Sequence, residues 1–296
     1  MAIFMLAHSI EDYITCTAAQ VTGASANSLR QFRMSSEIYK YDDHFKTARE
    51  YLEHFHSDML GEDVDEGLAM AWTLGQLHQT FTGDRDFGRR LLDVGSGPTV
   101  YQLISASRVC PEIICSDIHK GALAEIKKWK NGDPNAFDWT DAVKFVCELE
   151  GTRWESRQKQ LQNAIKDTVV CDVFKENPLH PTVFSLFDTV ITAYCLEGAC
   201  WDKGRSTYAD TVRNICSLLK PGGYFILMSY IGVTYYIEGG QKLPESLRLD
   251  PEFVLKSLSE AGITVLETSV YKTPEREECV FSDVKSILYV VGKKTQ

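Results

Sequence analysis

Hydrophobic and polar positions change their period partway along the chain. Between residues 41 and about 81, apolar side chains recur at helical spacing, at Tyr51, Leu52, Phe55, Met59 and Leu60, then through 68–77. From residue 90 short continuous apolar runs take over, and 90–94, 112–116, 169–173, 187–193 and 224–230 read as strands. Stretches 100–108, 121–130, 154–166, 208–219 and 251–261 read as helices between or after them, and 263–271 and 286–293 as closing strands. Segment 131–151, with Pro134, Phe137 and Trp139, reads as an insertion. This alternation predicts an α/β sheet with helices on both faces. Residues 1–40 show no firm period and read as a loosely ordered extension. Residues 41–296 then form a single domain, with 41–85 as a helical cover.

Composition narrows the class of partner. The chain has 296 residues, and 41 acidic against 31 basic side chains give a formal charge of -10, a poor match for nucleic acid. A small, neutral or cationic substrate fits better. The nine cysteines contain no C-x-x-C pair, and several lie in apolar runs such as Ile113-Ile114-Cys115. They read as free thiols of a cytoplasmic protein, with neither a disulfide framework nor a metal site expected. The apolar start at Met1–Ala7 lacks a basic leader, so no signal peptide and no membrane partner is expected.

Candidate chemistry begins where the first strand ends, in Leu92-Asp93-Val94-Gly95-Ser96-Gly97-Pro98-Thr99. Glycines at a strand-to-helix turn allow positive φ and bring backbone N–H groups close to a ligand. A dinucleotide site calls for a third glycine, and here Pro98, Thr99 and Val100 follow Gly97. Asp93 beside the turn disfavours a pyrophosphate but suits the ammonium group of an amino-acid cofactor such as S-adenosylmethionine. Asp117, at the end of the second strand, is placed for ribose hydroxyls. Asp172, at the end of the third, is placed for an adenine amino group. Strand-end aspartates also cap helices, which is the plain alternative for any one of them.

The residues resemble the small-molecule methyltransferases that include nicotinamide, phenylethanolamine and indolethylamine N-methyltransferases. The segments that carry the likeness are Tyr51-Leu52-Glu53, Gly95-Ser96-Gly97-Pro98-Thr99-Val100-Tyr101-Gln102, Ala136-Phe137-Asp138-Trp139, Cys171-Asp172-Val173, Cys195-Leu196-Glu197, Leu218-Leu219-Lys220-Pro221-Gly222-Gly223 and Tyr235-Tyr236. The resemblance implies a class I methyltransferase fold, Rossmann-like and mostly parallel with an antiparallel C-terminal strand. It also implies S-adenosylmethionine as cofactor and a monomer. Tyr51, Gly95, Ser96, Gly97, Thr99, Tyr101, Asp117, Asp172, Val173 and Ala193 take the cofactor positions. Ala122 stands where the family has an asparagine, which removes one expected hydrogen bond.

For the methyl acceptor, the resemblance implies Tyr194, Glu197, Ser229, Tyr236 and Ser246, with Glu197 and Tyr236 nearest the chemistry. Ser229 replaces the aspartate with which nicotinamide enzymes hold a carboxamide, and Ser246 matches their amide-contacting serine. Glu197 matches an acid that phenylethanolamine enzymes set against an ammonium, while Val233 and Ser282 replace two others. Tyr194 and Tyr230 replace smaller residues and narrow the pocket. A nicotinamide-like pyridine is the leading substrate, an arylalkylamine the alternative, and a cofactor-binding protein without catalysis the second alternative.

Overall fold

The computed structural model describes residues 47–57, 60, 64–238, 241–244, 246–274 and 282–295. The expected extension at 1–40 lies outside them. Among the described residues two helices come first, α1 (Ala48–His56) and α2 (Val64–Thr82). Thr47 caps α1 by accepting from the Glu50 N–H at 3.1 Å, and the helix buries Leu52 and His56.

The sheet follows as β1 (Arg90–Val94), β2 (Glu112–Asp117), β3 (Ile165–Val170), β4 (Phe187–Ala193), β5 (Leu219–Ile231), β8 (Ile263–Lys272) and β9 (Ser286–Lys294). A separate hairpin pairs β6 (Tyr236–Glu238) with β7 (Gln241–Leu243). The main order is β3-β2-β1-β4-β5-β9-β8. Only β9 runs against the rest, pairing antiparallel with both β5 and β8. The central strands are buried on both faces, which explains why their apolar runs, such as Leu91-Leu92 and Ile113-Ile114-Cys115, do not alternate with exposed polar residues.

Helices α3 (Lys120–Lys130), α4 (Thr140–Glu150) and α5 (Trp154–Ala164) join α1 and α2 on one face, around Leu74, Phe81, Trp129 and Trp139. The single turn α6 (Leu196–Ala199), with α7 (Gly204–Ser217) and α8 (Pro251–Glu260), covers the other through Tyr208, Ile215 and Leu258. Buried Glu150 pairs with Arg157 and lies 3.8 Å from both His78 and Arg108, tying α2, α4 and α5 together.

Three expectations from the sequence need correction. Residues 100–108 form two 3-10 turns, Tyr101–Leu103 and Ala106–Arg108, not a helix. Side chains there bond locally, Thr99 Oγ1 donating to Ser96 O at 2.8 Å and Gln102 Nε2 to Thr99 O at 3.3 Å, which competes with a regular helix. The third strand starts earlier than its apolar run, because Lys166 and Asp167 are exposed, and it ends at Val170. Asp172 and Val173 therefore lie just past the strand, though the Cys171 N–H still donates to Asp117 O at 2.9 Å. The segment read as an insertion contains α4, buried through Ala142, Val143, Val146 and Cys147.

Candidate functional site

The chain runs outward from β1 to β2 and β3, then returns to place β4 on the other side of β1. The crevice beyond the ends of β1 and β4 is the topological switch point, where ligands of such sheets bind. The two expected halves of the site meet there.

The glycine turn forms one half. Gly95 has φ of +68°, and a Cβ on it would lie 2.1 Å from Cys195 Sγ, so only glycine lets β1 and the β4 end approach so closely. Ser96 is buried, its N–H donating to Ser116 O at 2.9 Å and its hydroxyl to Asp93 O at 3.2 Å. Gly97, with φ of +55°, has open space where a Cβ would stand. Its N–H donates to Asp117 Oδ2 at 2.8 Å, while Asp117 Oδ1 accepts from His119 N–H at 2.8 Å. Burial raises the Asp117 pKa, and those backbone donors oppose the rise.

Asp93 is fully buried. Its Oδ2 accepts from Gln102 Nε2 at 2.8 Å, and its Oδ1 has no partner among the described residues. Burial pushes its carboxyl up to about 7. Thr99 is buried, and its hydroxyl donates within the turn to Ser96 O at 2.8 Å. Tyr101 is buried, and its ring centroid lies 5.7 Å from that of His56 and 6.0 Å from that of Trp139. Tyr51, on α1, reaches the same imidazole at 5.8 Å. Both nitrogens of His56 lack a partner, and burial lowers its pKa to about 4, so the ring is neutral at pH 7. Asp172 Oδ1 accepts from the Phe174 N–H at 3.2 Å, and Val173 is buried.

The other half gathers at the ends of β4 and β5. Ala193 closes β4, and Tyr194 follows with φ of +52°, its N–H donating to Met228 O at 2.9 Å. The Tyr194 ring stacks on Tyr230, with centroids 4.4 Å apart and planes 25° from parallel. Tyr230 meets Tyr236 edge-on at 6.4 Å. Glu197 is buried between backbone and hydroxyl donors, Oε1 accepting from Tyr230 N–H at 2.7 Å and Oε2 from Ser229 Oγ at 3.0 Å. Burial raises its carboxyl to about 7 against those hydrogen bonds. Ser246 is buried with its hydroxyl unpartnered, and the next residue, Leu247, donates its N–H to Glu197 O at 2.9 Å.

Asp93, Asp117, Ala193 and Ser229 thus stand near the C-terminal ends of β1, β2, β4 and β5, Cys171 next to Asp172 is bonded to Asp117, and Tyr51 meets Tyr101 through His56. Sequence reasoning did not single out His56, Thr73 or the Gln102–Asp93 bond as parts of this region. Both residues offered the same signal, Thr73 as a polar residue on the buried face of α2 and His56 as one four positions after Leu52 on the buried face of α1.

The chemistry of the turn fits S-adenosylmethionine better than a dinucleotide. A phosphate needs free N–H groups at a helix N-terminus. Here the Gly97 N–H is taken by Asp117, 3-10 turns replace the helix, and two buried carboxyls stand beside the turn. The orphaned Asp93 Oδ1 suits an ammonium. Among the described residues, no group of three or more His, Cys, Asp or Glu is placed to hold a metal ion, and no helix is long and apolar enough to cross a membrane.

Comparison with known proteins decides the lineage, because the model of the NNMT/PNMT/TEMT family matches residues 34–295. The chain belongs to that family. Nicotinamide N-methyltransferase of Homo sapiens is 37% identical over 249 residues, covering 82% of this chain and 92% of that protein. Indolethylamine N-methyltransferase of Mus musculus is 34% identical over 267 residues, covering 88% and 98%. Phenylethanolamine N-methyltransferase of Macaca mulatta is 30% identical over 251 residues, covering 83% and 88%. Family membership makes the chain an S-adenosylmethionine-dependent N-methyltransferase.

Proposed function

We propose that this enzyme methylates the ring nitrogen of a small pyridine carrying a carboxamide, as in nicotinamide. The observation that carries the reading is the Ser246 hydroxyl, buried and without a partner among the described residues, next to Leu247, whose N–H is bonded to Glu197 O. Buried hydroxyls are almost always hydrogen-bonded, so a polar substrate group is wanted there, and a carboxamide offers both donor and acceptor. Glu197 makes no equal demand for an ammonium, since both its oxygens already accept hydrogen bonds.

Bound S-adenosylmethionine supplies an activated methyl group on a sulfonium. The chain's own task is to hold the acceptor nitrogen in line with that methyl in a dry site, where orientation lowers the barrier by several kcal/mol. In this reading Asp93 binds the cofactor's ammonium and Asp117 its ribose. Asp172 and Val173 sit at the adenine, while Gly95, Gly97 and Thr99 surround the methionine end of the cofactor, with Ser96 and Ala193 beside them. Tyr51 and Tyr101 cover the sulfonium, whose charge suits aromatic faces. Tyr194, Ser229, Tyr236 and Ser246 contact the acceptor. A pyridine nitrogen carries its lone pair at neutral pH and needs no base.

The second reading, an arylalkylamine acceptor, is favoured by the pKa of about 7 that burial gives Glu197. A carboxylate so poised can take the proton that an alkylammonium must lose before attack. We also infer a monomer of one domain, residues 41–296, covered by 41–85 and acting in the cytoplasm. The seven free cysteines among the described residues suit a reducing compartment.

Transfer of labelled methyl from S-adenosylmethionine to nicotinamide, quinoline, tryptamine and phenylethylamine tests the proposal. Turnover of the pyridine is expected, and turnover of amines alone overturns it in favour of the second reading.

A further inference from the structure

We propose that Thr73, Tyr194 and Tyr230 form a latch that sets the width of the acceptor pocket and limits it to a single six-membered ring. The inference rests on the reading that Tyr194 and Tyr236 wall that pocket. Thr73 lies on the buried face of α2, with 1% of its surface exposed. Its one hydroxyl proton is directed at Ala69 O, 2.9 Å away in its own helix. At the 2.8 Å contact with Tyr194, Thr73 Oγ1 is therefore the acceptor and the Tyr194 hydroxyl the donor.

Tyr194 is thus fixed at both ends. Its N–H is held by Met228 O, its hydroxyl by the cover helix, and between them its backbone sits at φ of +52°. L-residues other than glycine enter that region at a cost, and persist there only where surrounding contacts over-determine them. Tyr194 is the one non-glycine residue with positive φ among those described, and it lies at the end of β4 against the switch point.

The consequence is steric. With ring centroids 4.4 Å apart and planes 25° from parallel, Tyr194 and Tyr230 leave no gap for a third ring between them. Tyr230 cannot swing away freely, because its backbone N–H is bound to Glu197 and its other side meets Tyr236 edge-on. Two tyrosine rings therefore occupy volume that a wider pocket would give to a fused bicyclic acceptor. Selectivity is set from the cover: Thr73 acts through Tyr194 and is a positioning residue.

The test is the ratio of kcat/KM for a one-ring and a two-ring acceptor, nicotinamide against quinoline, in the full chain. Tyr230→Ala is expected to raise the quinoline-to-nicotinamide ratio about 10-fold or more. Thr73→Val and Tyr194→Phe, which each remove the latch bond while keeping the packing volume, are expected to raise it about 3-fold. Thr73→Ser, which keeps the acceptor oxygen, is expected to retain the wild-type ratio. The dissociation constant for S-adenosylhomocysteine, read by calorimetry, stays within about 3-fold throughout, a pattern that general loosening of the fold does not give. An unchanged ratio in Tyr230→Ala, or cofactor affinity falling in step with it, overturns the latch. Should the enzyme methylate only amines, the pyridine reading fails, and the latch is then read as tryptamine against phenylethylamine. Wild-type preference for the two-ring member of the pair overturns it.

Discussion

Gln102 Nε2 donates to Asp93 Oδ2 at 2.8 Å, while the second oxygen of that carboxylate, buried with it, has no partner. Gln102 thereby fixes the plane of the carboxyl and leaves one oxygen for a cationic group. Replacing Asp93 by Asn keeps size and shape but removes the charge. S-adenosylhomocysteine, which carries the same ammonium, is expected to bind roughly 10- to 100-fold more weakly to Asp93→Asn, the range of a charge-assisted hydrogen bond. The free variant is expected to be no less stable at pH 8, since a buried charge has been removed. Calorimetric titration and a melting curve read the two effects separately; undiminished affinity removes Asp93 from the ammonium site.

Glu197 gives a pH dependence of stability whose sign follows from burial. Its pKa rises from an ordinary 4.5 to about 7 in the folded protein. Between those values the folded state holds a proton that the unfolded state has lost, so stability is greatest below pH 4.5. It declines as pH rises to about 7 and is level beyond. The total decline is on the order of 3 kcal/mol at most. Asp93, raised to about 7 by burial, slopes the same way, so the quantity to measure is the difference between wild type and Glu197→Gln. That variant is expected to melt progressively higher than wild type as pH goes from 5 to 8. A constant difference in Tm across the range contradicts the shifted pKa. Its activity separates the readings of function: a modest, pH-independent loss on a pyridine, or about 10²-fold on an alkylamine.

Much of this site is legible from sequence because strand ends are. Leu91 to Val94 and Ile113 to Asp117 are apolar runs carrying chemistry-bearing residues near their ends, and both lie buried in parallel strands. The start of the third strand is not legible in the sequence because it lies at the sheet edge, where Lys166 and Asp167 face water and dilute the apolar signal. The 3-10 turns after Gly97 follow from side-chain bonds of Thr99 and Gln102 that no periodicity encodes. Long-range partners are equally silent. The Tyr194–Thr73 bond spans 121 positions, and the Ser229 hydroxyl proton is committed to Glu197, 32 positions away in sequence.

The two turn glycines separate fold from binding. A Cβ at Gly95 would collide with Cys195 Sγ, whereas at Gly97 it would meet open space. Both positions have positive φ, so each substitution carries backbone strain, but Gly95→Ala adds overpacking. Gly95→Ala is expected to destabilise the protein by about 2 kcal/mol or more, seen as a clear fall in Tm. Gly97→Ala is expected to lower Tm less while weakening S-adenosylhomocysteine binding, because its methyl enters space proposed for the ligand. Equal losses of Tm in both variants contradict the distinction.

Asp283 holds the segment that presents Tyr236. Its Oδ1 accepts from the N–H groups of Thr234 at 2.7 Å and Tyr235 at 3.2 Å, and its Oδ2 from the Thr234 hydroxyl at 2.6 Å. Those bonds keep its pKa below the usual carboxylate range although burial opposes them. Lys285 N–H adds a bond to Ile231 O at 3.0 Å, and Ser282 forms an isolated bridge with Tyr236. Residues 282–285 thus clamp the chain as it leaves β5, and the clamp reaches Tyr236 but not the glycine turn. Asp283→Ala is expected to raise the acceptor KM about 10-fold with cofactor affinity unchanged. Asp283→Asn, whose amide oxygen still accepts from the backbone, is expected to recover most of that loss. Since its backbone and hydroxyl donors hold Asp283 charged below the usual carboxylate range, only its protonation at still lower pH releases the same segment and raises the acceptor KM of the wild type. A matching rise in the S-adenosylhomocysteine dissociation constant in Asp283→Ala shows instead that the whole sheet end has loosened.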